Sequence, residues 1–99
     1  MAYDSKYQRE DIDELFQAVL TLKDVEDCYR FFEDICTVNE IYAIAQRLQV
    51  AKLLSQKKTY NEIEKITGAS TATISRIKKC LVYGADGYKR VLDRLAEKE

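Results

Sequence analysis

Residues 70 to 79 read Ser-Thr-Ala-Thr-Ile-Ser-Arg-Ile-Lys-Lys: hydroxyls and a methyl first, cations after them. A hydroxyl can donate or accept, a guanidinium presents a planar fork of donors, and an ammonium suits a phosphate. On a helix starting at Ser70 or Thr71, Ile74, Ile77 and Leu81 form one buried stripe. Thr71, Ala72, Ser75, Arg76, Lys78 and Lys79 are then left outside it. Small side chains at a helix start let its backbone approach base edges in a major groove roughly 12 Å wide. The helix N-terminus itself attracts phosphate. Arg76 can reach a guanine or a phosphate, while Lys57, Lys58, Lys78 and Lys79 suit the phosphate backbone. The chemistry is recognition of double-stranded DNA. The plainer alternative is a structural helix pair with a solvated basic face, and for Lys57 and Lys58 alone a solvated loop.

The elements that must position these groups are also legible. Thr59-Tyr-Asn-Glu62 is a capping box opening a short helix with Ile63 and Ile66 inward. Gly68 ends that helix, since glycine takes a left-handed cap at little cost. Two short helices joined by a tight glycine turn make a helix-turn-helix over about 59–82. The candidate DNA contacts are Lys57, Lys58, Thr59, Tyr60, Asn61, Ser70, Thr71, Ala72, Thr73, Ser75, Arg76, Lys78 and Lys79. Tyr60 is the tyrosine expected to touch backbone; most of the other six belong to amphipathic core or interface positions.

Helical spacing extends along the rest of the chain. Ile12, Leu15, Phe16, Val19 and Leu22 share a face, and Val25, Cys28, Phe32, Ile35 and Cys36 repeat the rhythm after Asp24, an expected N-cap. Thr37-Val-Asn-Glu40 reads as a second capping box, opening a long helix with Ile41, Ile44, Leu48, Ala51 and Leu54 on one side. Gly84 and Gly87 break the chain before a last helix with Tyr88, Val91, Leu92 and Leu95. The expectation is an all-α fold of six helices, one domain over 1–99. So small a chain either packs very regularly or borrows core from a partner chain.

Composition narrows the function. The chain is 46% hydrophobic and 33% charged, without proline or histidine. Its start is charged, and no apolar run is long enough for a bilayer, so the expectation is a cytoplasmic protein with no membrane partner. Cys28, Cys36 and Cys80 form no C-x-x-C pair, so neither a metal site nor a cofactor is expected. Without histidine or a Gly-rich phosphate loop, an enzyme is disfavoured, and the carboxylates at 10, 11, 13 and 14 read as a solvated helix face. The net charge of −1 conceals a split: residues 1–45 carry 4 basic and 11 acidic side chains, residues 46–79 carry 8 and 2. That local excess of cations outweighs the acidic pI of about 5.6, because phosphates respond to the face presented to them.

The segment "TVNEIYAIAQRLQVAKLLSQKKTYNEIEKITGASTATISRIKKCL" resembles the central half of the bacterial tryptophan repressor family, and more narrowly its YerC/YecD subgroup. "GASTATISR" carries the strongest likeness, and the first two helices match by pattern only. The resemblance implies an intertwined homodimer. It further implies two recognition helices about 34–36 Å apart on a palindromic operator, the spacing general to dimeric helix-turn-helix proteins, the tryptophan repressor among them. In that family an indole lies between two arginines, which the resemblance places at Arg47 and Arg76, with Thr37 at the start of the pocket. Two departures disfavour tryptophan. Ile77 stands where the repressor has glycine and is expected to project toward the pocket, and Cys80 stands in place of a serine. Another small effector, or none, stays open. The reading is a sequence-specific dimeric regulator, most simply a repressor. The alternatives are a helix-turn-helix that docks a protein partner through its acidic half and a non-specific DNA-coating protein.

Overall fold

The computed structural model describes residues 3–98. Among them are six helices and no strand: α1 (Glu10–Val19), α2 (Val25–Ile35), α3 (Val38–Ser55), α4 (Tyr60–Thr67), α5 (Thr71–Tyr83) and α6 (Gly87–Glu97). The chain divides into two units, Met1–Thr37 and Val38–Glu99. No helix among the described residues is long and apolar enough to cross a membrane.

The first unit consists of α1 and α2. Glu10, Asp11 and Asp13 occupy the first turn of α1, where the helix dipole favours negative charge. Asp24 caps α2 as expected, its carboxylate accepting from the Asp27 amide at 2.8 Å. Neither helix contains a buried residue. Phe16 is 57% and Leu20 77% exposed, and Val25, Tyr29 and Ile35 are exposed as well.

In the second unit, α3 packs against α4, α5 and α6, and α5 against α4 and α6. The core is Val50, Ala51, Leu53, Ile63, Ala69, Ile74 and Ile77, with Leu54, Tyr60, Leu81, Tyr88 and Leu92 partly buried around it. The expected stripe of α3 is corrected here. Ile44 is exposed, and Val50 and Leu53 join Ala51 in the core. The segment Ile41–Leu54 is apolar on several sides, so its spacing did not single out one face. Ile66, expected inward, is 62% exposed; Ile63 alone anchors α4.

Two left-handed residues set the entry and exit of α4. Gly68 takes φ 74° and donates its amide to the Glu64 carbonyl at 2.8 Å. Lys57 takes φ 65° after α3, its amide bonding to Leu54 and that of Lys58 to Leu53, both at 3.1 Å. That pair of bonds is a Schellman closure with lysine where glycine is usual. The conformation costs an L-residue about 1 kcal/mol or more. Lys57→Gly should therefore raise unfolding free energy by about 1 kcal/mol in a urea titration. Ile63→Ala, emptying a fully buried site, should lower it by roughly 3 kcal/mol.

Candidate nucleic-acid interface

The turn between α4 and α5 is held from three directions. Thr59 accepts from the Glu62 amide while the Glu62 carboxylate accepts from the Thr59 amide at 2.8 Å, completing the expected capping box. At the other end of α4, the Thr67 hydroxyl donates to the Ile63 carbonyl at 2.7 Å and accepts from the Ala69 amide at 3.1 Å. Gln46 reaches across from α3, its amide nitrogen donating to the Thr67 carbonyl at 3.1 Å. Ala69 is buried, so the turn is seated in the core.

Ser70 caps α5: its hydroxyl oxygen accepts from the Thr73 amide at 3.2 Å, and its hydroxyl donates to Thr73 Oγ1 at 3.1 Å. With Ile74 and Ile77 buried, the helix can expose only its other sides. Ser70, Thr71, Ala72, Ser75, Arg76, Lys78 and Lys79 are exposed there, and Thr73 is half-buried. Lys57, Lys58, Thr59 and Asn61 are exposed around the start of α4, with Tyr60 half-buried. The Lys78 ammonium lies 5.9 Å from the centre of the Tyr60 ring, a cation–π contact tying the start of α4 to the middle of α5. The sequence-derived set thus falls on the two helix starts and the outer face of α5.

The residues expected to form an effector pocket distribute differently. Arg47, Arg76 and Cys80 are exposed on α3 and α5 of the second unit, and Thr37 ends the first. Ile77 lies in the buried cluster that its spacing predicts, α5 packing against α3 and α4. Tyr88, which the sequence reading had not attached to this surface, senses both Cys80 and Arg47. Burial pushes its phenol above the usual range, the charge of Cys80 pushes the same way, and Arg47 opposes them. Two further residues were missed: Gln46, and Glu64, whose carboxylate accepts the Thr71 hydroxyl. Both bonds join residues with no periodic or capping relation, so only the fold could reveal them.

Comparison with known proteins follows the same lines. Residues 10–96 match the family model described as Trp repressor protein. An uncharacterized protein of Bacillus subtilis strain 168, YerC, is 56% identical over 94 residues, covering 95% of this chain and 90% of the relative. A crystal structure of a Trp-repressor candidate from Staphylococcus aureus superposes with TM-score 0.88 at 55% identity, over 92% of this chain and 91% of that one. A TrpR-like protein from Eubacterium eligens ATCC 27750 gives 0.89 at 52%, over 94% and 96%.

Gln46→Ala should leave the Thr67 carbonyl without its partner and lower stability by about 1 kcal/mol in thermal or urea unfolding. Because the folded Tyr88 holds its proton more tightly than the unfolded one, its contribution is whole below about pH 10 and is lost as pH rises through the folded value. Tyr88→Phe should accordingly flatten the alkaline decline of the unfolding free energy above that pH.

Proposed function

Since the chain belongs to the Trp repressor protein family, we propose that it is a sequence-specific, dimeric regulator that binds a palindromic operator through α5. The family is one of DNA-binding regulators rather than enzymes. The observation that carries the reading is the outer face of α5. Hydroxyls sit at its exposed start, with Arg76, Lys78 and Lys79 following, on a helix whose pitch and depth the buried turn sets. Small groups at the helix start suit base edges, and the flanking cations suit phosphates. Repression follows most simply from occupying a promoter.

Dimerisation is supported by what the helices leave uncovered. α1, α2 and α6 contain no buried residue, yet they and the residue closing α1 display Phe16, Leu20, Val25, Tyr29, Ile35, Val91 and Leu95. Apolar stripes of that kind are normally covered in a soluble assembly. Sedimentation should report a species of twice 11.5 kDa at micromolar concentration. A clean monomer would remove the palindrome from the proposal.

Tryptophan is not the co-repressor in this reading, since by the family resemblance Cys80 puts a weakly accepting sulfur where a serine oxygen meets the ligand's amino group. A thermal melt should be unmoved by millimolar tryptophan; a clear rise would overturn this point. For the main proposal, duplexes should be selected from a randomised pool near physiological salt, with Arg76→Ala alongside. The expected result is an inverted repeat with half-sites about one helical turn apart and loss of binding by the variant. No consensus, with equal binding by Arg76→Ala, would favour a protein-docking module instead.

A further inference from the structure

Residues 46–79 hold eight cations and two carboxylates, Glu62 and Glu64. Against phosphate, each carboxylate is a liability that needs a reason. Glu62 has one, the capping box that starts α4. The Glu64 side chain takes part in no cap. Its Oε1 instead accepts the hydroxyl of Thr71, seven residues on and in the next helix. Thr71 is the first residue of α5 and is exposed, so this bond lies at the leading edge of the helix taken above to enter the groove.

The bond fixes a polarity. A threonine hydroxyl carries one hydrogen and two lone pairs, and an ionised carboxylate can only accept. With its hydrogen committed to Glu64, Thr71 Oγ1 has nothing left to donate. It faces outward as an acceptor, beside a carboxylate that is also an acceptor. Ser75, by contrast, makes no side-chain hydrogen bond among the described residues and keeps both options. In the major groove adenine N6 and cytosine N4 are donors, whereas guanine O6 and N7 and thymine O4 are acceptors. An acceptor-only group therefore separates bases by their exocyclic amine.

Resting on the DNA-binding reading above, we propose that Glu64 is a specificity-determining positioning residue. By holding Thr71 as an acceptor, it makes one base of each half-site an adenine or cytosine and disfavours guanine or thymine there. Glu64 acts through Thr71; its own negative charge lowers affinity for all sequences alike, which is the penalty accepted for that discrimination.

The test is an affinity matrix. Every single-base change in the half-site selected by the full-length protein is measured for wild type, Glu64→Ala and Thr71→Val at one salt concentration, with helicity and melting temperature recorded for each. Wild type should prefer adenine or cytosine, whose major-groove edges carry an amine, by about tenfold at one position. Thr71→Val should remove that preference and identify the position. Glu64→Ala should bind every duplex more tightly, yet reduce the preference at the same position to less than about threefold, leaving the other positions unchanged. If Glu64→Ala keeps the wild-type preference where Thr71→Val loses it, or if guanine or thymine is favoured there, the assignment of Glu64 is overturned while sequence-specific binding stands. An unchanged matrix for Thr71→Val overturns it as well. If wild type yields no consensus at all, the DNA-reading proposal falls, and this one with it.

Discussion

The burial of Ile63, Ile74 and Val50 in one cluster, where α3, α4 and α5 pack together, is the constraint on which the second unit depends. All three are fully buried, and in a seven-residue core each accounts for a large share of the apolar area removed from water. Ile74 and Ile77 together decide which side of α5 is inside. Everything exposed on that helix is exposed because those isoleucines are not. The recognition surface is thus defined by subtraction, and a change in the core would rotate it as a block.

Polar detail then sharpens what packing leaves loose. The Gln46 bond ties the Thr67 carbonyl of the turn to α3, and the contact of Lys78 with Tyr60 joins the middle of α5 to the start of α4. Neither involves a charge removed from water, so neither carries the desolvation cost of a buried ion pair. The ion pairs that do occur, such as Arg30 with Glu26 and Lys89 with Asp93, lie on exposed helix faces and add little. The strong preferences are therefore concentrated around α4 and α5, where the proposed function needs rigidity.

What could be read from sequence follows from the range of each interaction. The caps at Asp24, Thr59 and Gly68 were legible because each is settled within four residues by the geometry of a helix end. Six helices followed from those punctuation marks, and the candidate DNA contacts followed from placing Ile74 and Ile77 inside. The inner face of α3 was not legible, because isoleucine, alanine, leucine and valine occur on too many of its sides. Ile66 misled for the related reason that an eight-residue helix has room for one deep anchor, and Ile63 took it. Ile77 was placed on the core by its own spacing, and it is buried there. Glu64 with Thr71 and Gln46 with Thr67 leave no trace in any periodicity.

The local character of these turns has a consequence for time rather than for shape. Each backbone bond that closes the ends of α3, α4 and α5 spans five residues or fewer, and the chain contains no proline. Its unfolded ensemble therefore holds no slowly interconverting X-Pro isomers, and helix ends of this kind re-form in microseconds. The second unit should regain its turns almost as fast as its helices. In the dimer proposed above, the slow step is then the encounter that covers Phe16, Leu20 and Val25, and it, rather than the backbone, sets the tempo of maturation.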